Sequence, residues 1–407
     1  MAHTASILIC GAGIVGLTLA RDLLAAGYGD ILIIDKEPEA GRHASGRNSG
    51  VLHAGIYYAP GSLRAQSCLA GNQRMKEYCE ERGLPLLKTG KVIVARDESE
   101  LPTLRELHVR ATQNGAKVEL IDDQQLAEIE PNAKSAGLAL FSHYTAVVDP
   151  KAILKSIQAE LLASGKVKLL FDARFQGLKH EKGARLLVRT TAGDISCAFF
   201  VNAAGAYGDV VAHAFGLGKD YQLIPFKGIY KKLKPEKAHT IRGSIYPVPN
   251  IKNPFLGVHF TRGAHGDVYL GPTAIPAFGR ENYGLLSGID SEAFSILLRD
   301  AVLFFRNKKF REVALEEPRK YSFTYFFNDA RRLVKTLSPD DIEATPKAGI
   351  RPQLVDIKKN ELVMDFIIEG TQNSTHVLNS ISPAFTSSLF FSEMLLHSHV
   401  EPKLRKL

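Results

Sequence analysis

Residues 6–35 read SILICGAGIVGLTLARDLLAAGYGDILIID, and the fold of the chain turns on them. Residues 6–10 form an apolar strand, 11–16 a glycine turn, 17–27 an amphipathic helix with Gly27 as its C-terminal cap, and 30–35 a second apolar strand. This order predicts a βαβ unit. GAGIVG fits the GxGxxG spacing, a weak sign alone, but here it lies between strand and helix and an acid ends the second strand. Gly11 permits the tight turn, Gly13 lets backbone approach a pyrophosphate, and Gly16 allows close helix packing. The helix N-terminus at Ile14 and Val15 then faces the phosphates. Asp35, roughly 20 residues beyond Gly16, is placed to bond ribose hydroxyls, with Lys36 beside it.

The segment that follows, GRHASGRNSGVLHAGIYYAP (41–60), is unlike an ordinary loop. Small residues such as Gly50 and Val51 let backbone approach a flat ligand. Arg42, Ser45, Arg47, Asn48, Ser49, His53, Tyr57 and Tyr58 supply donors and acceptors. Such a loop directly after a ribose-binding strand favours FAD over NAD, the βαβ unit holding the pyrophosphate and the loop meeting the isoalloxazine. FFVNAAGAYGD (199–209) resembles the second flavin-proximal strand of glutathione-reductase-type flavoproteins. It adds Ala204, Gly205 and Tyr207 to the expected cofactor contacts, with Phe175 on a strand before it. In NSISPAFTSSLFF (379–391), Ser382 and Pro383 open a helix whose first turns carry Phe385, Thr386 and Ser387. A helix N-terminus aimed at the flavin pyrimidine edge stabilises the charge of reduced flavin.

The chain has 407 residues, 45% hydrophobic and 23% charged, ordinary for a globular protein. No apolar run approaches the ~20 residues of a membrane span, and the first strand starts too early to leave room for a signal peptide. The net charge of +8 favours anionic partners, but nothing in the chain matches a nucleic-acid-binding motif. Four scattered cysteines give no CxxC pair, which argues against zinc and fits a reducing, cytoplasmic compartment. No metal is expected. The tail FFSEMLLHSHVEPKLRKL combines apolar and basic residues and is expected either to pack on the nucleotide domain or to lie peripherally on the inner face of the cell membrane.

Taken together, these segments resemble the L-2-hydroxyglutarate oxidase/dehydrogenase family of the D-amino-acid-oxidase-like flavoproteins. The resemblance spans nearly the whole chain. It rests on RHASGRNSGVLHAGIYYAPGSLRAQSCLAGN (42–72), IPFKGIY (224–230), IYPVPN (245–250), PFLGVHFTR (254–262), GPTAI (271–275), GIRPQ (349–353) and the SPAFTSS turn (382–388). Against the family pattern HxTGxNSGVxHAGxYYxPGSLKA the chain has Ser45 for threonine, Arg47 at a variable position and Arg64 for lysine. Asp35 stands where many members carry glutamate, and SISPAFTSS replaces the more usual APSPAATSS.

The resemblance implies an α/β fold: a Rossmann-like FAD-binding domain (1–85, 145–222, 335–407) interleaved with a mixed-sheet α+β substrate domain (86–144, 223–334). It also implies oxidation of L-2-hydroxyglutarate to 2-oxoglutarate, hydride passing from C2 to flavin N5 and electrons onward to O2 or a quinone. His53 is then the expected base, with covalent flavin attachment as another possible role, and His259 is its rival. Strand alternation puts His259 on the opposite face from Phe260 and Arg262, so only one of His259 and Arg262 faces substrate. Arg262 and Arg351 are the expected carboxylate holders, with Lys227, Tyr57 and Tyr246 as lesser candidates. Gly349 and Arg351 of GIRPQ are also expected near the cofactor. The alternative is an amine oxidase acting on sarcosine, glycine or a D-amino acid. A non-catalytic FAD-binding protein would not need the polar loop at 42–58.

Overall fold

The computed structural model describes residues 3–179, 185–249, 257–380 and 382–407. Asn250, residues 254–256 of the PFLGVHFTR motif and Ile381 of the C-terminal turn lie outside the described residues. The chain divides into two compact units, Met1–Arg47 with Pro150–Ile224 and Pro352–Leu407, and Asn48–Asp149 with Pro225–Arg351. The chain therefore passes repeatedly between the units. Contacts assign 48–85 and 335–351 to the second unit, whereas the sequence boundaries place them with the first. One cause is the helix Leu63–Glu81, whose Asn72 amide donates to the carbonyls of Leu52, His53 and Tyr144.

In the first unit the sheet runs Phe175–Lys179, Leu186–Thr190, Gly193–Asn202, His3–Cys10, Ile31–Ile34, Val167–Leu170. Its middle is parallel, with Ile7 opposite both Phe199 and Ile31, and Ile31 opposite Val167. Ser374–Asn379 pairs parallel with the end of Gly193–Asn202 and antiparallel with Ile367–Thr371. All four residues of Ile31–Ile34 are buried, as parallel strands covered on both faces require. The helix Ile14–Ala25 packs against the helices Pro150–Ala163 and Ala384–Leu395. The former begins at Pro150, where the Asp-Pro pair predicts a start.

The second unit centres on a mixed sheet. It includes, in order, Tyr221–Leu233, Val268–Gly271, His259–Arg262, Ser244–Pro247, Lys91–Val94, Ala139–Ser142 and Val118–Ile121, with Ile342–Asp356 beyond the first. Alternation sorts its residues onto two cores. Val92, Val94 and Phe260 pack with Phe326 and Ala330, while Ile93, Ala95 and Tyr246 pack with Leu104, Leu107 and Ala111 of the helix Leu101–Gln113. A small three-stranded sheet joins Val51–Leu52, Ala146–Val148 and Leu86–Leu87. Ser62 caps the helix Leu63–Glu81, its hydroxyl accepting from Ala65 N at 3.2 Å.

The tail differs from the membrane-lying alternative. Leu389, Phe391, Leu395, Leu396 and Val400 are buried within the first unit and leave no apolar stripe for a bilayer. No described helix is long and apolar enough to cross a membrane. The exposed apolar surface lies instead on the second unit, on the helix Ala293–Arg306 and the segment before it. There Leu285, Leu286, Phe294, Leu298 and Phe305 are each at least 59% exposed.

Candidate functional site

In the first unit the glycine turn is built as its spacing predicts. Gly11 has φ of +117°, and a Cβ there would lie 2.4 Å from the carbonyl oxygen of Ala203. A Cβ on Gly16 would lie 2.0 Å from the carbonyl oxygen of Gly11, so neither position admits a side chain. At Gly13 the nearest atom to such a Cβ is Ser45 Oγ at 3.1 Å. Because glycine at the cap offers no side chain, Ser45 reaches back from the following loop and accepts from Ile14 N at 2.9 Å. The backbone beside Gly13, the start of the helix at Ile14, Val15 and Gly16, and the Ser45 hydroxyl together form a phosphate-sized cradle with partial positive charge.

Asp35 closes the turn. One carboxylate oxygen accepts from Ala12 N at 2.7 Å and the other from Glu37 N at 3.0 Å. Burial raises its pKa, against those two amides and the charges of Lys36 and His43. Two oxygens each holding a single bond retain acceptor capacity for ribose hydroxyls. Lys36 bonds Glu37 and His43 and lies 5.3 Å from the Tyr207 ring centroid. Burial raises Glu37, but bonds from Lys36 and His43 outweigh it and hold the carboxyl at about 2. Arg42, expected at the cofactor, pairs with Glu37 at 3.4 Å and Glu39 at 3.6 Å.

Phe175 departs from expectation. Its side chain lies in an aromatic cluster, 5.9 Å from Phe200 and 6.3 Å from Phe215, which leaves only its backbone for a cofactor. Ala204 N donates to Asn202 Oδ1, and Gly205 has φ of +57°. Ser382 and Pro383 precede the helix Ala384–Leu395, which also carries Phe385 and Thr386. Ser387 Oγ on its first turn is buried without a hydrogen-bond partner among the described residues. The steric demand at Gly11 and Gly16, the open cradle and this buried hydroxyl fit FAD.

The second unit holds the rest of the 41–60 segment. Asn48 Oδ1 accepts from Gly50 N at 2.8 Å, and Ser49 Oγ lies 3.5 Å from Val51 N. Both bonds shape the turn into Val51–Leu52. His53 is fixed by its carbonyl, which accepts from Asn72 Nδ2 at 3.1 Å and from the Cys68 thiol at 3.3 Å. Asn114 Nδ2 holds the carbonyls of Gly55 and Tyr58, both at 3.0 Å. These side chains give an irregular loop its backbone partners.

Around His53 the structure gathers Tyr57, Tyr58, Arg64, Lys91, Tyr246, His259 and Arg351, all within the second unit. The His259 ring stacks on Tyr246 with centroids 3.7 Å apart, and its Nδ1 lies 2.9 Å from Gly257 O. That bond puts the ring proton on Nδ1 and leaves Nε2 as an acceptor. Burial lowers His259 to about 3, helped by the charge of Lys91. His53 also lies well below the ordinary histidine value, through burial and then the charges of Lys91, His259 and Arg64. Both imidazoles are thus neutral near pH 7. His53, Tyr57 and Tyr58 keep some exposed surface, yet His53 Nδ1 and the Tyr57 hydroxyl are shielded from solvent. Arg351 is lowered to about 10 by burial and by Arg64, with Tyr58 opposing, and remains a cation. Arg64 stands 4.3 Å from the Tyr58 ring centroid. Gly349 sits two residues before Arg351 on the same strand.

Two expected substrate residues are engaged elsewhere. Arg262 Nη1 donates to the carbonyls of Ala238 and Ile241, both at 2.9 Å, on the face opposite His259. Of the two, His259 is the one that lies in the cluster around His53. Lys227 is buried and donates to Gly284 O at 2.7 Å and Asn282 Oδ1 at 3.2 Å, which ties down a loop. Conversely, sequence reasoning passed over Lys91, at the start of the strand Lys91–Val94. It is 1% exposed, with Nζ 4.7 Å from the ring centroids of both Tyr57 and Tyr246. A lysine opening an apolar strand reads as a solvated strand end. Only the same-face relation to Ile93 hinted at burial.

The model of the FAD-dependent oxidoreductase (DAO) family matches residues 6–397. The chain is 35% identical to the mitochondrial L-2-hydroxyglutarate dehydrogenase of Nematostella vectensis, covering 97% of this chain and 90% of that protein. It is also 35% identical to L-2-hydroxyglutarate dehydrogenase of Indibacter alkaliphilus, covering 94% and 96% respectively. Among solved structures, dithionite-reduced L-alpha-glycerophosphate oxidase from Mycoplasma pneumoniae with FAD bound superposes with a TM-score of 0.77 at 21% identity, over 99% of this chain and 95% of that one. At that identity the likeness shows the fold.

Proposed function

This chain belongs to the FAD-dependent oxidoreductase family and is homologous to the L-2-hydroxyglutarate dehydrogenases, and we propose that its own substrate is L-2-hydroxyglutarate, oxidised at C2 to 2-oxoglutarate. The observation that carries this reading is the cluster around His53, where two neutral imidazoles lie among the cations Arg64 and Arg351. A dicarboxylate matches that field. The cationic side of an amine substrate does not.

The residues divide the work. Arg351, a planar guanidinium in a sheltered position, holds a carboxylate with two parallel bonds. Tyr57 and Tyr58 enclose the substrate, and the Tyr57 hydroxyl is a donor to it. His53 takes the hydroxyl proton of the substrate as the C2 hydrogen leaves with its electron pair. It suits the task because burial, with the charges of Lys91, His259 and Arg64, keeps it neutral at pH 7. His259, whose Nδ1–H is spent on Gly257 O, presents Nε2 as a second acceptor beside His53 and is held there by its stack on Tyr246. FAD, held by the Gly11–Gly16 turn, Ser45 and Asp35, supplies the two-electron acceptor when bound.

The test is anaerobic mixing of the holoprotein with L-2-hydroxyglutarate, its D-enantiomer, sarcosine and D-alanine while the oxidised-flavin band is followed. Bleaching by the L-hydroxy acid alone is expected. Bleaching by an amine replaces this reading with the amine-oxidase one. His53→Ala should keep its flavin and lose about 10²–10⁴-fold in reduction rate. His259→Ala should lose less.

For the electron acceptor, we favour a membrane quinone over O2. The helix Ala293–Arg306 exposes Phe294, Leu297, Leu298 and Phe305, and Arg299, Arg306, Lys308, Lys309 and Arg311 lie along or just beyond it. An apolar face edged by cations suits an anionic bilayer surface. Flotation with anionic vesicles should carry the protein, and Phe294→Ser with Phe305→Ser should release it. If neutral and anionic vesicles both leave it unbound, this docking surface is wrong.

A further inference from the structure

Lys91 is a buried basic side chain of the second unit. Its side chain is completely enclosed, and Nζ has no hydrogen-bond partner among the described residues. The rings of Tyr57 and Tyr246 stand on two sides of it, each 4.7 Å from Nζ to the centroid. Two aromatic faces attract an ammonium group but accept no full hydrogen bond from it. A buried lysine ordinarily has a carboxylate partner. Here the charges acting on Lys91 and on its neighbour His259 include no aspartate or glutamate. The buried acid Glu130, just after the helix Asp123–Ile129, is occupied by the backbone amides of Arg242 and Gly243, at 2.8 Å each. A cation built into the core with three donors and no acceptor is a preformed place for an anion that is not part of the chain.

A second observation places that anion. The charges acting on His53 include Lys91, His259 and Arg64, while those acting on Arg351 are Arg64 and Tyr58 and not Lys91. Lys91, enclosed by Tyr57 and Tyr246, and Arg351, coupled to Arg64 and Tyr58, are therefore two separate cationic positions of the cluster. We propose that Lys91 is a carboxylate-binding residue of this site, its ammonium group taking one carboxylate of the dicarboxylate from between Tyr57 and Tyr246 while Arg351 takes the other. This rests on the dicarboxylate reading above and deepens it. A substrate held at both ends keeps its central carbon beside His53.

The groups facing Lys91 leave it as the one that titrates near neutrality. Burial lowers it from 10.5 to about 7, with Cys68 opposing. Cys68 is itself pushed up to about 12 by burial and stays a thiol. Tyr57 and Tyr246 are raised and stay neutral, and His53 and His259 are lowered and stay unprotonated. Arg64 and Arg351 complete the charged set. A bound carboxylate favours the ammonium form, so binding takes up a proton above pH 7. It also cancels the charge that depresses both imidazoles, so the arriving substrate strengthens the base that deprotonates it.

The test uses the FAD-loaded protein and glutarate, a dicarboxylate without the oxidisable hydroxyl. Calorimetry in two buffers of different ionisation heat counts the protons exchanged on binding, and the flavin band gives affinity independently. Wild-type protein should take up a fraction of a proton per glutarate at pH 7.5, with affinity falling up to about tenfold per pH unit above 7. Lys91→Met should bind glutarate on the order of 10–100-fold more weakly and take up no proton. Lys91→Arg should restore much of the affinity without the uptake. Wild-type affinity in Lys91→Met, or wild-type binding without uptake, overturns the assignment, even where L-2-hydroxyglutarate still bleaches the flavin. Glutarate binding with Lys91-dependent uptake, in a protein that L-2-hydroxyglutarate does not reduce, keeps the assignment and overturns the substrate reading instead. Failure of wild-type protein to bind glutarate overturns the assignment as well.

Discussion

The glycine turn of the first unit and the cationic cluster of the second solve different problems. The turn offers a ligand backbone: three glycines, a helix start and one serine, all within residues 11–45. The cluster offers side chains drawn from positions 53, 57, 64, 91, 246, 259 and 351, spread over most of the chain. The first depends on what cannot be added. The second depends on charges held in place by packing. Backbone recognition should therefore fail abruptly on substitution, and side-chain recognition in graded steps.

The sharpest break is Gly16→Val. Its Cβ would lie 2.0 Å from the carbonyl oxygen of Gly11, and backbone cannot give way as a side chain can. Flavin content per purified chain should fall to a few per cent or the protein should not accumulate in soluble form. Gly13→Ala meets only Ser45 Oγ at 3.1 Å and should keep most of its flavin. Equal losses in both would remove the steric account of the turn.

Next in size is the contrast between two arginines. Arg351→Met should weaken glutarate binding by roughly 2–3 kcal/mol, the scale of a charged hydrogen-bond pair, with little change in flavin content. Arg262→Met loses two bonds to carbonyls and should destabilise the second unit by about 1–3 kcal/mol while leaving affinity near wild type. Calorimetric titration and thermal unfolding of the two variants should give opposite patterns. A loss of affinity in Arg262→Met would return that residue to the site.

The smallest effect concerns stability without substrate. Lys91 has a folded value near 7 against an ordinary 10.5, so above pH 7 the unfolded chain binds the extra proton. Stability then rises with pH from about 7, where the folded lysine begins to lose its charge. Above about 9 the buried thiols act oppositely, because Cys10, Cys68 and Cys197 are raised to about 12 and lose protons more readily when unfolded. Lys91→Met should flatten the rise between pH 7 and 9 and lift Tm at pH 6 by a few degrees. An unchanged slope would mean that the lysine is hydrated.

These differences also explain what was legible in the sequence. The βαβ unit was readable because its rules are local: spacing, periodicity and an acid at a fixed distance. The 41–60 segment was readable as an irregular polar loop, and the structure does place His53 and Tyr57 in one cluster with Tyr246, Tyr58 and Arg64. For Arg262 the alternation with His259 was legible, but alternation alone does not say which of the two faces the cluster; the carbonyls of Ala238 and Ile241 take Arg262. Lys227 was misplaced because no local pattern reveals that Asn282 and Gly284 fold back onto it. Lys91 was invisible for the converse reason. Its burial depends on strands Ser244–Pro247 and Ala139–Ser142 flanking it, pairings too distant in sequence to infer. The tail was ambiguous because an apolar stripe looks alike whether a bilayer or a protein core covers it.

The strand His3–Cys10 lies between Ile31–Ile34 and Gly193–Asn202. During synthesis the first neighbour emerges almost at once, while the second is still many residues away. At roughly 5–20 residues per second, the nascent strand spends on the order of ten to thirty seconds with one edge bare. The helix that covers Ile14–Ala25 comes later still, from Ala384–Leu395 at the far end of the chain. The nucleotide-binding unit is thus begun before the second unit and completed after it. A ribosome-bound chain of this protein should be a good client for chaperones that shield unpaired strands, and a stop codon before the last helix should release a product that never binds flavin.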